Sequence, residues 1–127
     1  MRPAGEDAVQ LLRHPEELLA RGNRHVTKLV LFPVRFLYTA ETGLVGTNQS
    51  ATEHYLAEGR GPSTDLVAAA LTWRSAPPDE APAKALLQQE MIPLYLHYID
   101  DHTARLIDLG RHDLAEAFVE WRRRIVA

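Results

Sequence analysis

"RHVTKLVLFPVRFLYTAETG", Arg24 to Gly43, is the stretch whose reading decides the fold. Its middle, Leu29 to Phe32, is apolar enough to suit a β-strand, so strand and helix compete for it. Periodicity and length settle the competition. Val26, Leu29, Val30, Phe36, Leu37 and Ala40 recur at helical intervals, while Leu31, Phe32 and Val34 fill other faces. Two-residue alternation is missing and the run is too long for an ordinary strand. The stretch predicts a central helix buried on most sides. Pro33 removes one backbone N–H and predicts a kink, and Gly43 offers a left-handed stop.

The flanking segments follow the same period. Asp7 is placed to cap a short helix carrying Val9, Leu11 and Leu12. Pro15, with Glu16 and Glu17 behind it, opens a second short helix that reaches Ala20 or Arg21. Thr47 is an N-cap for a helix running to Ala57 or Glu58 and closed by Gly59. Ser63 or Thr64 caps another through Leu66, Ala69, Ala70 and Trp73. "SAPPDEAP", residues 75–82, is a proline-rich loop. From Ala83 a long helix carries Leu86, Leu87, Met91, Leu94, Tyr95, Tyr98, Ile99 and Leu106, bent at Pro93 and ended by Gly110. A last helix from about Asp113 puts Leu114, Ala117, Phe118, Trp121 and Ile125 on one stripe. The expectation is one all-α domain over 1–127: a bundle of five or six helices, some short, two kinked at proline. Short N-terminal helices occupy 1–22, and bundle helices 24–74 and 83–126, with the proline-rich loop at 75–82.

Composition narrows the function classes. The 127 residues suffice for one core, and hydrophobic and charged shares of 46% and 24% are those of an ordinary globular chain. A formal charge of −3 predicts no nucleic-acid partner and no pull toward an anionic membrane. Cysteine is absent, so disulfide, thiolate and cysteine–zinc chemistry is excluded. "MRPAGEDAVQ" has no apolar core of a signal peptide, and no apolar run reaches a membrane span. These features predict a cytoplasmic location.

Arg35 is the residue that calls for explanation, because a guanidinium among apolar neighbours needs an anion, a carboxylate such as Asp100 or Asp101, or several carbonyls. "HYIDDHTAR" places His97 and Asp101 one helical turn apart with His102 beside them, but supplies no third ligand at metal-site spacing, so no metal site is assigned. Arg122 to Arg124 close the last helix, where cations complement the helix dipole. No Ser-His-Asp, P-loop or dinucleotide pattern is present.

Leu29 to Leu56, "LVLFPVRFLYTAETGLVGTNQSATEHYL", followed by "LVAAALTW", resembles the C-terminal helical domain of aminoglycoside nucleotidyltransferases, in particular the streptomycin/spectinomycin 3″-adenylyltransferase group. The likeness covers roughly residues 26–75. In that family an arginine lies eight residues before the glycine of a Thr-Gly helix stop, as Arg35 does before Gly43, and Tyr38 and Thr42 fit the same pattern. The resemblance implies that Arg35 contacts ATP phosphate. The family's phosphate-binding lysine, five residues after the glycine, falls on Asn48, and its nucleotide-side tyrosine on Trp73. It also implies a polycationic substrate, for which Glu90, Asp100 and Asp101 are the candidate contacts. ATP and Mg²⁺ would enter with a catalytic domain, in the same or a separate chain. The Gly-Ser turn and Asp-x-Asp pair that hold two metal ions in such enzymes do not occur here, so no catalytic residue is assigned and the chain is not expected to catalyse alone. Two readings of other classes remain. Arg105-x6-His112 resembles the Arg…His pair of HEPN-like ribonuclease toxins. A small apolar bundle can also be a ligand-free interaction or homodimerisation module.

Overall fold

The computed structural model describes residues 4–127, with side chains from Ala8 onward. Among the described residues there are seven helices and no strand: α1 (Ala4–Arg13), α2 (Pro15–Ala20), α3 (Asn23–Thr42), α4 (Asn48–Glu58), α5 (Thr64–Trp73), α6 (Glu80–Asp108) and α7 (His112–Val126). The chain is an all-α bundle. Each of the seven corresponds to a segment named in the sequence, more than the five or six expected for the bundle. α1 begins at Ala4, so Asp7 sits inside the helix rather than ahead of it.

α3 is the central element, in contact with α2, α4, α5 and α6. Its Val26, Val30, Leu31, Val34 and Leu37 are buried, facing Leu66, Val67 and Ala70 of α5 and Leu87, Met91, Leu94, Tyr95 and Ile99 of α6 in one continuous core. Leu11, Leu12 and Leu18 close the core from α1 and α2, and Ile125 from α7. One face departs from the expectation. Phe36, whose spacing matches the inward residues, is 47% exposed, and Phe32 is 38% exposed. α3 is buried on most of its circumference and open along one stripe.

Both proline-containing helices run on through the proline. In α3, Pro33 has no N–H to give the carbonyl of Leu29, one turn back. The hydroxyl of Tyr95 on α6 donates to that carbonyl at 2.6 Å. A buried tyrosine thus replaces the missing backbone donor, and burial pushes its phenol pKa upward.

The ends obey local chemistry. Gly43 stops α3 at φ 75°. Thr47 caps α4 in a reciprocal box with Ser50, and Gly59 closes it. α6 ends in a Schellman motif: Gly110 at φ 75° donates to the Ile107 carbonyl, and Arg111 to that of Leu106. Two boundaries differ from the sequence reading. α6 starts at Glu80, behind Asp79, so the loop is shorter than 75–82. Pro82 lies in the first helical turn, where backbone N–H groups have no intrahelical partner to lose. At α5, Ser63 occupies the N-cap but its hydroxyl donates to the Glu90 carbonyl at 2.6 Å instead of capping.

Candidate functional site: a cationic cleft along α3

The open stripe of α3 is one wall of a cleft of about 960 Å³. Arg24, Lys28, Phe32, Arg35, Phe36 and Thr39 follow one another along that wall, at the three- and four-residue steps that keep side chains on one helix face. Val45 from the link after α3, Asn48 at the head of α4, and Arg74, just past α5, also line it. Among the described residues, four cations line the cleft and no carboxylate does. Arg24, Lys28 and Arg74 have no acidic partner among the described residues.

The link between α3 and α4 sets the Arg35 end. The Thr42 hydroxyl donates to the Tyr38 carbonyl at 2.8 Å and accepts the Leu44 N–H at 3.1 Å, which turns the chain immediately after the helix. Gly46 then packs on the Tyr38 ring, so closely that a Cβ there would come within 2.5 Å of a ring carbon. One guanidinium nitrogen of Arg35 donates to the Gly46 carbonyl at 3.0 Å. Arg35 therefore pairs with neither Asp100 nor Asp101. It braces the link with one N–H and leaves the rest of its fork toward the cleft. Asn48 is the first residue of α4, where free backbone N–H groups favour an anion. The other side of α4 is clasped to α3 by His54 and Glu41, 2.7 Å apart, with the Tyr38 ring edge-on to His54.

Of the residues assigned from sequence, Arg35 and Asn48 come together in this cleft. The Trp73 side chain does not: it is buried in the core, and its carbonyl accepts from Asn23 at the start of α3. Its neighbour Arg74 is the residue that reaches the cleft. Glu90, Asp100 and Asp101 are separately engaged. A Glu90 carboxylate oxygen accepts the Leu66 N–H at 3.4 Å, Asp100 pairs with Arg122 at 2.9 Å, and Asp101 with Arg105 at 2.8 Å. None of the three lines the cleft. Arg105, held by Asp101, also donates to the Ala40 carbonyl at 3.3 Å, whereas His112 opens α7 beyond the Gly110 turn. No group of three or more His, Asp or Glu able to hold a metal ion occurs among the described residues.

Titration anomalies belong to the core. Burial pushes the Tyr98 phenol up to about 12. Burial and the nearby Glu41 charge do the same for Tyr55, whose hydroxyl donates to the Pro62 carbonyl at 2.6 Å. His102 is shifted down, mainly by burial, with the Arg105 charge acting in the same direction and Asp101 against it. Its ring packs among Tyr98, Phe36 and Phe118, and its Nδ1 lies 3.3 Å from Asp101 without a hydrogen bond.

Comparison of the chain with protein-family models, curated proteins and solved structures finds no match. The residues that sequence reasoning missed are Arg24, Lys28 and Arg74. The signal for the first two was present: with Phe32 and Phe36 they repeat every fourth position, 24, 28, 32, 36, which is a helix face as regular as the apolar one.

Proposed function

We propose that the chain is the helical nucleotide- and substrate-binding domain of a nucleotidyltransferase-like protein, working with a catalytic domain in the same or a separate chain. One observation carries the proposal: Arg35 and Asn48, on different helices, line a single cleft that has, among the described residues, four cations and no carboxylate. Such a cleft selects anions, and phosphate oxygens match the planar fork of arginine. The chain supplies phosphate contacts from Arg35 and Asn48. The carboxylates that would hold Mg²⁺ must come from the catalytic domain.

Support is confined to the nucleotide half of this reading. Asp100 and Asp101 are spent on Arg122 and Arg105, Glu90 on α5, and the cleft presents only positive charge to a polycationic acceptor. The ribonuclease alternative has weaker footing, since Arg105 is already shared between Asp101 and Ala40.

Calorimetric titration with Mg-ATP tests the proposal. Arg35→Ala removes a charge-assisted phosphate contact of about 1.5–3 kcal/mol, so affinity is expected to fall by at least tenfold while the helical content of the protein stays constant. Absence of binding heat, both for this chain and for a reconstituted two-domain protein, would overturn the nucleotide role.

A further inference from the structure

The row of cations is longer than a triphosphate needs. From Arg24 to Arg35 the α3 axis advances about 16 Å at ~1.5 Å per residue, more than a row of three linked phosphates covers. The charges along it are spaced rather than clustered: Arg24, then Lys28 one turn on, then Arg35, with Arg74 contributed from just past α5. Asn23, beside Arg24, donates to the carbonyl of Trp73, beside Arg74, and so joins the start of α3 to the end of α5. Beside the cations stand two phenylalanines that the core covers only in part, Phe32 between Lys28 and Arg35 and Phe36 just after Arg35, with ring centroids 4.7 Å apart. Exposed aromatic rings interleaved with regularly placed cations are suited to a polymer whose charges recur at intervals and whose flat groups can stack.

We propose that the α3 cleft binds a single strand of nucleic acid, with phosphates on Arg24, Arg74, Lys28 and Arg35 and a base packed on Phe32 and Phe36. An acidic peptide would satisfy the cations but gives the phenylalanines no repeating planar partner. A duplex keeps its bases stacked on one another and hides them from the rings. This departs from the expectation of no nucleic-acid partner drawn from the formal charge of −3, which averages over the whole chain and not over this face. Charges beyond about 8–10 Å are screened at ordinary ionic strength, so the local cation array sets the field an approaching strand meets. The proposal shares the cleft with the nucleotide reading but makes Arg24, Lys28, Phe32 and Phe36 direct contacts, whereas that reading assigns phosphate contacts to Arg35 and Asn48 alone.

Fluorescence anisotropy with a labelled ten-nucleotide oligouridylate tests it, with Mg-ATP, inorganic polyphosphate and a duplex of equal length as competitors. Binding is expected, with log K falling against log salt at a slope of about −2 to −3, from ~0.7 per phosphate over three or four contacts. The Arg24→Ala/Lys28→Ala pair should weaken it at least tenfold, and Phe32→Ala or Phe36→Ala at least fivefold. Arg24 and Lys28 are exposed and Phe32 and Phe36 are partly so, and circular dichroism of each variant checks that the fold is kept. Retention of Mg-ATP binding heat by the Arg24/Lys28 pair would show that the two ligands depend on different residues. No binding of the oligonucleotide overturns the proposal. So does displacement by Mg-ATP at equal concentration, which makes the cleft a mononucleotide site. Phenylalanine variants that bind unchanged, or a duplex that competes as well as the strand, reduce it to a polyanion patch and equally overturn it.

Discussion

The Leu29 carbonyl takes its hydrogen bond from a side chain 66 positions away, because Pro33 cannot supply the local one. Tyr95→Phe leaves that acceptor unpaired in the interior. A loss of about 1–3 kcal/mol follows from the desolvation cost of an orphaned polar group, read as a lower denaturant midpoint with unchanged slope. Pro33→Ala restores the backbone N–H, so the double variant should recover most of the loss, and a coupling near zero would sink this account. Asn48 permits the opposite experiment. Placing a cation at the head of α4, by Asn48→Lys, should strengthen Mg-ATP binding by roughly tenfold, the value of one added charged contact of ~1.5 kcal/mol, and calorimetry reads it directly. Arg35 stood out in the sequence because a charge inside an apolar run is chemically conspicuous. Trp73 did not reveal its burial in the same way, since a tryptophan that ends a helix suits a cleft and a core equally well.

The start of α5 shows how one helix can cap another. Its N-cap, Ser63, sits at φ 65° and turns its hydroxyl to the Glu90 backbone, while the Glu90 carboxylate reaches the Leu66 N–H that Ser63 leaves free. Glu90→Ala should therefore cost about 1 kcal/mol, as loss of an ordinary N-cap does, and should speed amide exchange in the first turn of α5 more than elsewhere. A uniform change along the bundle would argue against the cap. The sequence disclosed most element boundaries because Pro15, Gly43, Thr47, Gly59 and Gly110 act through their own backbone neighbours. It could not disclose the Glu90 cap, which depends on where α6 lies against α5. The same limit explains Phe36. Period alone places it with the inward residues of α3, but burial also requires a neighbouring helix, and the open stripe of α3 has none to cover it.

At the scale of the whole molecule, helical architecture was legible because nearly every apolar residue repeats with the helical period. No described helix is long and apolar enough to cross a membrane. Stability should carry one pH signature from the α3–α6–α7 junction. His102 is held below its usual 6.5 mainly by burial among Tyr98, Phe36 and Phe118, with Asp101 and Arg105 as the nearest charges. Its folded pKa lies under its unfolded one, so its contribution is complete above about pH 6.5 and is lost as pH falls toward the folded value. The melting temperature of the wild type should drop more than that of His102→Gln between pH 7 and pH 5; parallel curves would remove His102 as the cause. The cleft has a consequence of a different kind. Setting its four cations against the formal charge of −3 leaves the rest of the chain at −7. Positive charge at the cleft thus sits on a molecule that is otherwise net negative, and an anion is drawn in where it comes within screening range of the cleft. Added salt will therefore slow encounters before it shortens the life of any complex formed.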